Sequence, residues 1–478
     1  MSEHPTISQA IRKQFPYTPT GDQQILIEKL AAFIKNPEVA SLFLLKGYAG
    51  TGKTTMVSSL VNVLPALGAK SVLLAPTGRA AKVFSSYSGH PAFTIHKKIY
   101  RMLTGTDGSM NVVIQENKHK DTFFIVDEAS MISGGVEPGQ ESLFGVTHLL
   151  DDLIQYVSRG INCRLILMGD TAQLPPVRTP ESPALSEAYL NRRYHLHIDS
   201  FEIKEVVRQA LDSGILHNAT LLRQMLAGGQ TGFPAFELAG FRDFRRLDGP
   251  EAADEVNSAY MSGSPEGSLI ICRSNKRANM YNQFIRQRVL FMEDEISAGD
   301  LLLVAKNNYF WLPEDSNAGF IANGDILEIR RIHQIEEMHG FRFAHLNVKL
   351  MDYPDEPDLD TWIILDTLDA AGPALSTEQQ KQLYEAVAAD YADIPNKRTR
   401  MEQIRKDRYF NALQVKFAYA LTCHKSQGGQ WENVFVEMGY LRENHPDTEY
   451  LRWLYTAITR ATHQVFLMGF TDDFFKNT

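Results

Sequence analysis

At 478 residues, 44% hydrophobic and 22% charged, the chain lies in the ordinary range of soluble globular proteins and is long enough for two to four domains. Its net charge of −9, from 48 basic and 57 acidic residues, argues against a protein that coats nucleic acid by bulk electrostatics but leaves room for a local basic track. No run approaches the roughly 18 apolar residues of a membrane span, the start lacks a basic-then-apolar leader, and Cys163, Cys272 and Cys423 form neither a C-x-x-C pair nor a disulfide framework, so a reducing, cytoplasmic compartment is expected.

From Leu42 onward, short apolar runs alternate with amphipathic helical patterns, which predicts parallel α/β sheets. The first run, SLFLLKG, leads into Gly47-Tyr48-Ala49-Gly50-Thr51-Gly52-Lys53-Thr54, which satisfies G-x-x-x-x-G-K-[ST] between a strand pattern and the helical TMVSSLVNVL. Glycines let backbone N–H groups turn inward, the helix start adds a positive dipole end, Lys53 neutralises the outer phosphates, and the Thr54 hydroxyl can ligate Mg²⁺. Gly47, Gly50, Thr51, Gly52, Lys53, Thr54 and Thr55 are the expected phosphate cradle.

KSVLLAPTG is a second strand, and FFIVDEAS a third that ends in Asp127 and Glu128. Adjacent carboxylates behind a phosphate loop divide labour: Asp127 holds the Mg²⁺ shell, and Glu128 orients and deprotonates an attacking water. A kinase or a nucleotide switch has no use for the second carboxylate, so hydrolysis is the expected chemistry. LILMGDTAQLPPV is a further strand, with Gln173 placed to touch the γ-phosphate or the water, and with Pro175 and Pro176 stiffening the loop. By itself that stretch reads equally well as a plain turn.

A second set of buried strands starts near Ser268 with GSLIICRSN, breaks off, and resumes near Phe417 in VKFAYALTCHKSQG and WENVFVEMG. Between them, AGDLLLVAKNNYFWLP, NGDILEIRRIHQ, FRFAHLNVKLMD and DTWIILDT alternate in hydrophobicity around Gly-Asp and Asn-Gly turns, which predicts a small antiparallel β-barrel. Two helices follow around Pro395. The acidic stretch 351–360 and the basic stretch 396–408 read first as solvated faces.

Taken together, the motifs resemble those of superfamily 1 helicases, and within them the superfamily 1B group typified by RecD and Dda, over residues 18 to 465. TGDQ is similar to the Q motif, GYAGTGKTT to motif I, APTGRAAK to Ia, TIHKKIY to Ib, VDEAS to II, GDTAQLPPV to III, LTCHKSQGGQWENVFVE to V and YTAITRA to VI. The resemblance implies that Gln23 reads adenine and that Arg208, in EVVRQ, and Arg460 deliver guanidinium charge to the γ-phosphate from outside the first sheet. It implies single-stranded DNA contacts at Thr77, Arg79, Thr94, His96, Thr422, His424, Lys425 and Ser426, with Phe84, Tyr87, Phe93 and Tyr100 near enough to stack on bases. Cys423, the second glycine of SQGGQW and the threonine in YTAITRA depart from the family pattern.

The expected architecture is α/β, with two tandem RecA-like domains. The first spans 1–210 with a 97–121 hairpin insertion, whose Met102–Met110 portion would split the duplex. The second comprises 211–292 and 412–478, with a small barrel and helical extension inserted at 293–411. The expected function is an ATP- and Mg²⁺-dependent DNA helicase moving 5′ to 3′ on single strands; an RNA-directed or dual-specificity superfamily 1 helicase is the alternative. Expected partners are single-stranded DNA and its junctions with duplex, with replication or repair proteins beyond them. The chain is expected to act as a monomer, away from membranes.

Overall fold

The structure, a computed structural model, describes residues 6–36, 41–104, 110–134, 148–177, 179–207, 212–262, 265–313, 316 and 318–476. Six strands build a first parallel sheet: β1 (Leu42–Gly47), β2 (Lys70–Ala75), β3 (Ala92–Thr94), then, after the hairpin of β4 (Tyr100–Thr104) and β5 (Met110–Ile114), β6 (Thr122–Val126), β7 (Arg164–Gly169) and β8 (Ile198–Ile203). The order across this sheet is β3-β2-β6-β7-β1-β8. Strand β1 shows why its run is apolar without alternation: Phe43 and Leu45 face one core, Leu42 and Leu44 the other, because helices cover both sides. Strand β8, IDSFEI, was not expected. It forms an edge, where pairing on one side and partial exposure tolerate polar residues that mask a strand pattern.

The second parallel sheet runs from β9 (Phe244–Leu247) and β10 (Ser268–Cys272), and is interrupted by a closed barrel of β11 (Leu301–Val304), β12 (Ile326–Met338), β13 (Phe341–Leu350), β14 (Leu359–Ile364) and β15 (Leu413–Phe417). It resumes with β16 (Ala420–Thr422), β17 (Trp431–Glu437) and β18 (Ala461–Met468), in the order β16-β10-β17-β18-β9. Two expectations change here. The run VKFAYALTCHKSQG, read as part of the second motor domain, splits at its start: Val415–Phe417 belongs to Leu413–Phe417, which closes the barrel, and Ala420–Thr422 enters the sheet. Closure also makes the barrel mixed, because β14 and β15 pair in parallel while the other four pairs are antiparallel.

Barrel and second sheet are fastened by a buried ion pair. Arg286 donates from Nε to Asp300 Oδ1 at 2.8 Å and from Nη2 to Oδ2 at 2.9 Å, while the Tyr419 hydroxyl donates to the same carboxylate at 3.0 Å. The helices Thr377–Asp390 and Lys397–Lys406 flank Pro395 and cover a satellite core of Phe343, Trp362, Ile364, Leu383 and Ile404 on the barrel. No helix among the described residues is long and apolar enough to cross a membrane.

Candidate active site

The strand order brings the carboxyl ends of β6, β7 and β1 side by side, so the segments that follow them share one edge of the sheet. After β1 the chain turns through Gly50 and Gly52, at φ +74° and +81°, into the helix Lys53–Val63. Glycine is required at position 52 for a second reason: a Cβ there would stand 2.8 Å from the Gln23 amide nitrogen. Lys53 donates to the carbonyls of Gly47 at 2.6 Å and Tyr48 at 2.8 Å, which holds its ammonium inside the loop. Thr51 is buried and donates to the Tyr48 carbonyl at 2.8 Å. Thr54 and Thr55 open the helix behind it.

Gln23, expected to read adenine, is otherwise engaged. Its Nε2 donates to the Thr51 carbonyl at 2.9 Å and its Oε1 accepts from the Thr20 N–H at 3.0 Å, so the amide braces the phosphate loop against the preceding helix. Arg208 lies outside the described residues. Val207, the last described residue before it, donates to the Gly50 carbonyl at 3.1 Å.

After β6 come the two carboxylates. Asp127 accepts from the Glu128 N–H at 2.8 Å, and burial together with the Glu128 charge raises its carboxyl to about 7. Glu128 takes φ +50°, in the left-handed region, which turns its side chain away from Asp127 and toward the second sheet. There it meets Arg460, at 3.4 Å between Oε1 and Nη1, with Arg460 itself buried between the helix Thr448–Ile458 and β18. Gln173, following β7, completes a triangle. With its amide oriented by the hydrogen-bond network, Nε2 donates to Glu128 Oε2 at 3.3 Å and Oε1 accepts from Arg460 Nη2 at 3.0 Å.

Four further contacts across the same cleft escaped the sequence reading. The Ala49 N–H donates to the Tyr455 hydroxyl at 3.0 Å, and that hydroxyl donates to Asp170 Oδ2 at 2.5 Å, so one tyrosine from the second domain links the phosphate loop to the end of β7. Both backbone groups of Leu174 are held by the second domain: its N–H donates to Thr456 Oγ1 at 2.8 Å and its carbonyl accepts from Gln427 Nε2 at 2.8 Å. Tyr455 and Thr456 stand within the quoted YTAITRA, but a tyrosine and a threonine on a buried helix carry no sequence signal that separates cleft from core.

The expected nucleic-acid residues divide. Thr77 and Thr94 cap the helices Gly78–Ser88 and Ile95–Ile99, accepting from the N–H groups of Ala80 and Lys97, at 3.2 Å each. His96 packs against Tyr100 and Phe320, and burial pulls its imidazole down to about 4, so the ring is neutral near pH 7. Thr422, His424 and Lys425 remain partly exposed, with burial lowering Lys425 to about 8. Two of them are engaged within the protein. Arg79 is drawn into the cleft, its guanidinium 3.9 Å from the centre of the Trp431 ring and 3.4 Å from the Gln430 carbonyl, and Ser426 is fully buried with its hydroxyl donating to the Cys423 carbonyl at 2.8 Å. Of the aromatics that could be either core or stacking platforms, Phe84 is core, whereas Phe93 and Tyr87 are exposed.

The AAA domain family matches residues 27–237 and the UvrD-like helicase C-terminal domain family matches 417–468, so the two halves of the cleft are each recognised separately. These matches, together with the helicase relatives below, support a superfamily 1B helicase. As a helicase it is an ATP hydrolase, and the triangle of Glu128, Gln173 and Arg460 lies where its two matched segments meet. The helicase is 25% identical over 517 residues to uncharacterized protein R530 of Acanthamoeba polyphaga mimivirus, covering 93% of this chain and 99% of that protein. It is 24% identical over 453 residues to the ATP-dependent RecD2 DNA helicase of Deinococcus radiodurans, with 93% of this chain matched to 49% of that one, so it spans about half the length of that relative. It is 22% identical over 449 residues to the ATP-dependent DNA helicase dda of Enterobacteria phage T4, covering 88% and 93% of the two chains. Among solved structures, Pif1 helicase from Candida albicans superposes with a TM-score of 0.46 at 15% identity, over 97% of each chain.

Proposed function

We propose that this helicase hydrolyses ATP to step along single-stranded DNA in the 5′ to 3′ direction and separates the strands of a duplex as it goes. The observation that carries the reading is the Glu128–Gln173–Arg460 triangle. A carboxylate able to take a proton from water, a guanidinium able to meet charge on a phosphate, and an amide bridging them come from two different sheets. Hydrolysis at such a junction alters the contacts that hold the domains together, which is the requirement for converting chemistry into stepping.

Lys53 is the group that would exchange its loop carbonyls for phosphate oxygens, and Glu128 the general base. Thr54 and Asp127 fit Mg²⁺: both offer hard oxygen donors, and the buried Asp127 carboxyl, raised to about 7, is stabilised in its charged form by a cation. When bound, the ion would neutralise charge on the outer phosphates. For DNA, Thr422, His424, Lys425 and the exposed Phe93 offer hydroxyl, imidazole, ammonium and ring contacts that ignore base sequence.

The β4–β5 hairpin is the proposed wedge. Its strands pair from Tyr100 with Ile114 to Thr104 with Met110, and of the portion expected to split the duplex, Met102–Met110, residues 105–109 lie outside the described residues. The deciding experiment is unwinding of DNA and RNA duplexes with a 5′ tail, a 3′ tail or no tail. Unwinding confined to 5′-tailed DNA is expected; a 3′ preference would overturn the polarity, and an RNA preference the substrate. Replacing residues 105–109 by a two-glycine turn is expected to preserve DNA-stimulated ATP turnover while abolishing strand separation.

A further inference from the structure

The barrel carries a group of side chains that neither the nucleotide cleft nor the DNA track uses. His333, His345 and Asp360 lie on the adjacent strands β12, β13 and β14, and each offers one ligand atom, all within 4.8 Å of one another. The strand geometry converges them on purpose-built positions. His345 pairs directly with Trp362 and Asn347 with Asp360, so all four share a face of β13 and β14. The register between β12 and β13 slips between Ile332 and Gln334, and this bulge at His333 is a device that re-aims one side chain; here it turns the imidazole toward the other two ligands.

The three groups are also held. The His345 ring stacks on Trp362 at 5.0 Å and 4°, and Trp362 is buried in the satellite core with the Arg408 guanidinium 4.7 Å from the centre of its ring. Asn347 Nδ2 donates to Asp360 Oδ1 at 3.1 Å, fixing the carboxylate from behind. His333 Nε2 lies 3.0 Å from the same oxygen, and its ring is 4.7 Å from that of His345. Ligand atoms around a tetrahedral zinc ion, at about 2.0–2.1 Å from the metal, stand about 3.4 Å apart, so side-chain shifts of up to about 1.4 Å close the set. The nearest other charges, Arg408 and Glu336, stand 3.8 Å apart and offset each other.

We propose that His333, His345 and Asp360 bind a divalent transition-metal ion of the zinc class, with a solvent-facing position left for water. Two imidazoles and one carboxylate favour such an ion over Mg²⁺, which prefers oxygen. The bound ion would tie β12, β13 and β14 together at the end of the barrel that carries the helical extension. The test uses the full chain, stripped of metal by chelator and kept free of nucleotide. Zn²⁺ is titrated by calorimetry, Co²⁺ by its visible absorption bands, and the melting temperature is followed with and without Zn²⁺. One equivalent of Zn²⁺ is expected, with its affinity lowered at least ~10-fold in His333→Ala and in Asp360→Asn. A Zn²⁺-dependent rise in melting temperature is expected in the native chain and not in Asp360→Asn. Both substitutions fall on exposed side chains, and unchanged ATP turnover without zinc reports that they fold. Absence of Zn²⁺ binding by the native chain, or binding equally strong in both variants, would overturn the site.

Discussion

Glu128 meets Arg460 from a backbone at φ +50°, a left-handed conformation uncommon for a residue with a side chain. Glu128→Gln keeps the shape and loses the base. ATP turnover should fall about 10²–10⁴-fold while ATP still binds, read by single-turnover hydrolysis beside a fluorescent-nucleotide titration. Asp127 makes a pH prediction. Its folded-state value of about 7 lies above the ordinary 3.8, so between those values the folded protein holds a proton that the unfolded chain has released. Stability from this group therefore falls as pH rises through that window. In nucleotide-free protein at about pH 8, Asp127→Asn should be the more stable form, on the order of 2 kcal/mol by urea denaturation, and the advantage should vanish near about pH 4. A mutant less stable than the native chain at both pH values would refute the buried charge. At this scale the sequence was informative where chemistry demands a rare combination, as at Lys53, Thr54, Asp127 and Glu128. It was silent for Asp170 and Tyr455, because a carboxylate after a strand and a tyrosine on an apolar helix are ordinary apart and become a linkage only at 2.5 Å.

The split of VKFAYALT between barrel and sheet shows where a hydrophobic pattern reaches its limit. Both halves are buried strands with the same demand for apolar side chains, and only the partner differs: Leu302, Leu303 and Val304 for one, Ile270, Ile271 and Cys272 for the other. Hydrophobic pattern specifies that a residue is covered, not by what. The barrel's four other strands were legible through their alternating hydrophobicity, and β11 and β12 also through the Gly299-Asp300 and Asn323-Gly324 turns, whose glycines take φ +88° and +98°. Between the two halves sits the Arg286–Asp300 pair. Removing one partner strands the other charge in an apolar setting, so Asp300→Ala should cost about 3–5 kcal/mol in chemical denaturation, far more than Lys406→Ala, whose partner Glu402 is exposed. Equal costs would mean that the buried pair is not a fastening.

Across the whole molecule, residues 332 positions apart in sequence meet at Glu128 and Arg460, and no local pattern encodes that encounter. What the sequence did carry was the order of the segments, which fixes two sheets and the edge they share. The net charge of −9 bears on the grip. With Arg79 packed on Trp431, the cations beside the proposed track among the described residues are Lys97, Lys98 and Lys425, so the logarithm of single-stranded DNA affinity should fall with that of salt at a slope of about −2. A slope steeper than about −5 would place a larger basic surface on the DNA. Leu174 turns the cleft into something that can be timed. Its amide hydrogen is owned by one half of the protein and its partner oxygen by the other, so that hydrogen can exchange with deuterated solvent only when the halves part. Deuterium uptake at this one amide thus counts openings directly, and a nucleotide that clamps the halves together would silence it.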